Sequence, residues 1–108
     1  MTADEERVFA ALADSTRRQL LSNLATHSPK TATQLAGEFH ISRQGMSKHL
    51  ELLANAGLVD SWTEGRERYY SLAPQPLSTV TKWIESIGHQ WESRLDNLRS
   101  LVESDEDI

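Results

Sequence analysis

The chain contains no cysteine among its 108 residues, which removes disulfides, thiolate metal sites and thiol redox chemistry at once. Also missing is any apolar run near the ~20 residues that a membrane-spanning helix needs. The N-terminal MTADEERVFAALAD is acidic, unlike a basic secretory leader, so a soluble, cytoplasmic protein is expected. There is no glycine-rich phosphate loop, and the four histidines are scattered, none paired with a carboxylate at a recognisable catalytic spacing. These gaps argue against an enzyme. A positive balance is lacking too: 11 Lys and Arg stand against 16 Asp and Glu, a net charge of −5.

The acidic excess is uneven. Residues 1–40 hold four basic and five acidic side chains, residues 41–73 four and four, and residues 74–108 three and seven. Attraction to phosphate depends on the charge of the face that meets it more than on the global sum, although a negative total weakens non-specific binding. The middle of the chain therefore stays open to a polyanionic partner. At 38% hydrophobic, a chain of this size suits one small domain whose large apolar residues barely supply a core plus an interface. A partner chain is expected on that ground alone.

What is present centres on Lys30 to Val59. Thr31 and Gln34 have the spacing of a capping box, so a short helix should begin there, with Leu35, Ala36 and Phe39 on its apolar face. After His40 and Ile41, Ser42 is a second N-cap, and Met46, Leu50 and Leu53 form the apolar face of another helix. Gly57 is a natural left-handed stop. Two helices joined within so few residues must cross steeply, which leaves the first turns of the second facing solvent. There the side chains are Ser42, Arg43, Gln44, Ser47, Lys48 and His49, with no acid before Glu51. The DNA major groove admits one α-helix, Arg pairs with guanine and Gln with adenine, and a capped helix N-terminus favours phosphate. The bland alternative is a solvated polar face on a helical packing unit. Gly45 lies inside this helix, where Ala is worth roughly 0.5–1 kcal/mol more, and close approach of backbone to DNA is one reason to keep it.

On the N-terminal side, Asp4 to Leu12 places Val8, Phe9 and Leu12 on one side of a first helix. Asp14 caps a second helix with Leu20, Leu21 and Leu24 inward. Arg17 and Arg18 either touch DNA backbone or are exposed or internally paired. His27-Ser28-Pro29 breaks this helix. Beyond Gly57, LVDSWTEGRERYYSL has β-favouring residues on both sides of a turn at Glu64-Gly65-Arg66, the pattern of a hairpin that must lean on the helices. Arg66 and Arg68 at its tip could reach the minor groove or phosphates, diluted by Glu64 and Glu67. After Pro74 and Pro76, Leu77, Val80, Ile84, Ile87, Trp91, Leu95, Leu98 and Val102 recur in steps of three and four, one helix with a continuous apolar seam. A helix of about 25 residues is ~38 Å long, more than so small a core can cover, so part of the seam should pair with a second subunit.

Taken in order, ALADSTRRQLLSNLA, TQLAGEFHISRQGMSKHLELLANAGLV and EGRERYYSL closely resemble the ArsR-type winged-helix transcriptional regulators of bacteria. The resemblance runs from residue 8 to about residue 73. It implies a homodimer joined through its first and last helices that represses its promoters, with Ser42, Arg43, Gln44, Ser47, Lys48 and His49 against DNA. The long terminal helix resembles the subgroup lacking the family's metal motifs. Where metal-sensing members carry a Cys pair, this chain reads ATQLAGEF, and only His89 and Glu92 match the second half of the terminal-helix ligand pattern.

The expected architecture is mainly α with a small β-hairpin: five helices plus a two-stranded wing in a winged helix-turn-helix. One DNA-binding and dimerisation domain should span residues 1–102, followed by a disordered acidic tail at 103–108. The expected reading residues are Ser42, Arg43, Gln44, Ser47, Lys48, His49, Arg66 and Arg68. Val8, Phe9, Leu12, Ile84, Ile87, Trp91, Leu95 and Leu98 should form the dimer interface. The partners are operator DNA and a second copy of the chain, with no membrane, metal or cofactor. Two alternatives remain: a metal-responsive repressor using His89 and Glu92, and a winged-helix protein-interaction module that does not bind DNA.

Overall fold

A computed structural model describes residues 2–106. Helix α1 (Ala3–Leu12) opens with a capping box between Thr2 and Glu5, and α2 (Ser15–His27) is capped by Asp14, which accepts from the Arg17 backbone N–H. Helix α3 (Ala32–Phe39) starts with the Thr31–Gln34 capping box read from the sequence, and α4 (Arg43–Asn55) with the Ser42 cap. Between them, His40 takes a left-handed φ of 54°, and the Ile41 N–H reaches back to the Ala36 carbonyl at 3.1 Å. This is a Schellman closure. Helix α4 ends the same way, with Gly57 at φ 75° and the Leu58 N–H on the Leu53 carbonyl at 2.9 Å.

These closures aim the apolar faces at one point. Leu20, Leu24, Leu35, Met46, Leu50, Leu53 and Leu58 are all fully buried, and they are the residues that hold α2, α3 and α4 together. Truncating a side chain in such a site to Ala typically costs about 2–5 kcal/mol.

Strands β2 (Val59–Glu64) and β3 (Glu67–Leu72) pair antiparallel across the Gly65-Arg66 turn. Gly65 has φ 61°, the positive value that the first turn residue of a II′ hairpin requires. The sheet differs from the two-stranded wing expected. A third strand, β1 (Lys30–Thr31), pairs antiparallel with β3, giving the order β1-β3-β2. Two residues carry no period-two signal, so only their placement beside Tyr69 and Tyr70 makes them a strand.

Helix α5 (Leu77–Glu106) runs for 30 residues, about 45 Å at 1.5 Å per residue. It passes the expected boundary at 102 by four residues, so 103–106 are helical, while 107 and 108 lie outside the described residues. Leu77 and Val80 pack against the core, and Trp83 meets Phe9 of α1 edge to face, ring centroids 5.4 Å apart. From Thr81 to Glu103 every residue is exposed, including Ile84, Ile87, Trp91, Leu95 and Leu98. The chain extends 78 × 26 × 21 Å as a result. Val8 corrects the expected interface: it is 3% exposed and belongs to the chain's own core, because α1 turns it toward α4 rather than outward. Phe9 and Leu12 are half-buried, Phe9 on Trp83 and Leu12 against the core.

Candidate nucleic-acid interface

The first turns of α4 stand clear of the core because Met46, Leu50 and Leu53 anchor the opposite side. Ser42, Arg43, Gln44, Ser47 and Lys48 are all exposed. The Ser42 hydroxyl accepts from the Gly45 N–H at 3.0 Å, and the remaining N–H groups of that turn point outward with the positive end of the helix dipole. Gly45 has a local explanation. A Cβ there would meet Ile41 Cγ2 and Ser42 Oγ, each at 3.1 Å, so an alanine would require these two side chains, one of them the cap, to shift by a few tenths of an ångström.

His49 departs from the expected reading face. It is half-buried and turned toward α2, its Nδ1 3.3 Å from Arg17 Nη1 and 3.9 Å from Asp14 Oδ2. The reason is helical phase: His49 is three residues on from Met46, on the side that faces α2. Arg17 also donates through Nε to the Ala11 carbonyl at 2.7 Å and through Nη2 to the Ala10 carbonyl at 3.1 Å, and Arg18 donates to the Leu12 carbonyl at 2.6 Å. Of the two sequence readings for these arginines, the structure adopts internal pairing: they bond the last carbonyls of α1, where cations are favoured. Arg17 thereby ties α1 to α4, a link that no spacing in the sequence signals. The Arg17 backbone N–H bonded to Asp14 holds that carboxyl below its ordinary range, helped by the nearby guanidinium and His49.

On the wing, Arg66 is exposed at the turn, and Arg68 is exposed with its Nη2 on the Ser61 hydroxyl at 2.7 Å. Ser61 pairs with Tyr70 in the sheet, which puts Ser61, Arg68 and Tyr70 on the side facing α4. Together with Ser47 and Glu51 they line a cleft between α4 and the wing. Ser61 is a polar group of this surface that the sequence reading missed, since only the strand register shows which way it faces. On the other side of the sheet, Trp62 stacks on Tyr69 with centroids 6.1 Å apart. Far from this surface, His89 and Glu92 are exposed on α5, and no group of three or more His, Asp or Glu with metal-site geometry occurs among the described residues.

A basic, acid-free helix start beside a hairpin is the geometry of a winged helix-turn-helix. Residues 12–61 match the family model described as a helix-turn-helix domain. The fold superimposes with a TM-score of 0.84 on an ArsR-like transcriptional regulator from Rhodococcus sp. RHA1, 37% identical, covering 96% of this chain and 98% of that one. The HTH-type transcriptional regulator Rv2034 of Mycobacterium tuberculosis is 33% identical over 102 residues, 94% of this chain and 92% of its own length. The transcriptional repressor SdpR of Bacillus subtilis is 35% identical over 77 residues, 71% of this chain and 84% of its own length. The chain belongs to the ArsR-type winged helix-turn-helix transcriptional regulators and is a DNA-binding regulator of transcription.

Proposed function

We propose that the chain is a homodimeric, sequence-specific repressor that releases or holds its operator without a metal inducer. The observation that carries this reading is the exposed start of α4, where Arg43, Gln44, Ser47 and Lys48 are free of ion pairs to any described carboxylate. Arg43 and Gln44 are assigned to base edges, because their side chains make bidentate pairs with guanine and adenine. Ser42, Ser47, Lys48, Arg66 and Arg68 are assigned to phosphates. His49 is assigned to holding α4 in place rather than to a base.

The dimer follows from the exposed seam of α5, with Phe9 and Leu12 at its edge. A symmetric pairing of two such seams sets two α4 helices into successive major grooves, about 34 Å apart. One subunit offers half the contacts. Repression is then occupancy: a dimer lying across a promoter excludes polymerase, in keeping with the repressor name of one relative. His89 and Glu92 could supply only two ligands per chain, too few for a tight site.

Selection of bound fragments from the source genome tests the reading. Enrichment of one inverted repeat is expected, with Arg43→Ala and Gln44→Ala each weakening it by about 1–3 kcal/mol and relaxing one base position per half-site. Recovery of no enriched sequence by an intact dimer would overturn it.

A further inference from the structure

Leu52 is 48% exposed on α4, on neither the core side nor the reading face. It borders a groove of about 290 Å³ between α1 and α4, whose other walls are Ala10, Ala11, Asn55, Arg7 and Arg17. The walls are the methyl groups of the two alanines, the isobutyl group of Leu52 and the carboxamide of Asn55, with two guanidiniums at the rim. Among the described residues the one ion pair of Arg7 is with Asp4, at 3.3 Å and with both side chains largely exposed, a pairing worth little in water. Arg17 has no carboxylate within ion-pairing distance among the described residues. Three of its N–H groups are taken by Ala11, Ala10 and His49, and a guanidinium has five. Among the described residues two donors of this half-buried cation are therefore without a partner, in a groove whose floor is largely apolar.

We propose that this groove is an effector site for a small organic carboxylate with an apolar body, one per chain. The volume, at the lower edge of the ~300–1,000 Å³ usual for ligand clefts, suits a small molecule. The carboxylate takes the fork of Arg17, the geometry that a guanidinium binds best, with Arg7 closing over it and Leu52 covering the apolar body. Arg17 is also the tether between α1 and the reading helix through His49. A carboxylate that draws the guanidinium into the groove strains the 3.3 Å contact to His49 and loosens α4, so the ligand lowers operator affinity. That regulatory half rests on the DNA reading given above; the binding half does not.

The test uses the full chain and benzoate as the probe, with benzyl alcohol as its uncharged counterpart. Calorimetry without DNA should give saturable benzoate heat with one site per chain, and none for benzyl alcohol. Saturating benzoate should weaken operator binding by about tenfold, a typical coupling between two sites. Arg7→Gln and Leu52→Gln, both outside the reading face, should each reduce benzoate affinity by about tenfold or more and leave operator affinity in the absence of benzoate unchanged. No saturable heat up to the solubility limit, equal binding of benzyl alcohol, or benzoate binding unchanged in both variants overturns the site. So does a sedimentation result in which the two variants dissociate the dimer, since a second copy then covers the groove. Because calorimetry needs no DNA, its failure leaves the repressor reading standing, whereas failure of the genomic selection removes that reading and the regulatory half together.

Discussion

Replacing Ile87 with glutamate separates the two uses that the terminal helix could have. In the single chain Ile87 is 45% exposed and Trp91, one turn on, 57%, so neither side chain belongs to the chain's own core. A charge at residue 87 should therefore leave the monomer folded. Full burial of an isoleucine is worth roughly 1.5–3 kcal/mol, so covering the exposed part contributes about 1 kcal/mol per copy and about 2 kcal/mol in a symmetric pair. The substitution also buries two unpaired carboxylates across the seam, each at a cost of several kcal/mol. A loss of at least ~5 kcal/mol follows, and at 1.4 kcal/mol per decade the dimer weakens by more than roughly a thousandfold. Sedimentation should show a monomer, circular dichroism an unchanged helix content, and operator binding only the affinity of an isolated half. A variant that stays dimeric and binds normally refutes the placement of the interface on this seam. One that unfolds shows instead that the seam serves the monomer's own stability.

Other perturbations probe the reading face, the metal question and the fold. Lys48→Ala should lower affinity evenly across sequences and flatten the salt dependence of binding, because fewer counterions are released; an unchanged slope removes Lys48 from the phosphate contacts. Zinc, arsenite and cadmium should leave operator affinity unaltered, and a micromolar zinc effect abolished by His89→Ala would restore the metal-responsive alternative. Acid should destabilise the domain through two carboxyls. Asp14 is held low by the Arg17 backbone N–H and Glu38 by the Lys30 ammonium, 2.7 Å away. A depressed folded pKa gives stability that is present above the unfolded value and is lost as pH falls through the folded one. Thermal melts should thus show no contribution from these groups to any change between pH 7 and 5. A decline should set in only below the ordinary values of 3.8 and 4.5, and Lys30→Ala should blunt its Glu38 part.

The elements whose causes are local could be read from the residues alone. A hydroxyl three residues before a glutamine or a free N–H makes the caps at Thr31 and Ser42, a glycine permits the left-handed stop at Gly57, and apolar spacing orients Met46, Leu50 and Leu53. Each of these interactions closes within one or two turns of chain, so spacing alone carries it. The bare cationic start of α4 was legible for the same reason, being what remains once the apolar side is assigned.

Features that depend on partners distant in the chain are set by packing. Lys30 and Thr31 become a strand because β3 arrives beside them, some 40 residues later in the sequence. His49 leaves the reading face because Arg17, 32 residues earlier, stands where it points. Val8 belongs to the core and not to the seam, since the crossing of α1 over α4 settles which side of an otherwise ambiguous helix is inside. The physical reason is common to all three. Local spacing sets which side chains share a face, but which face is covered, and by what, depends on how elements far apart in sequence pack together.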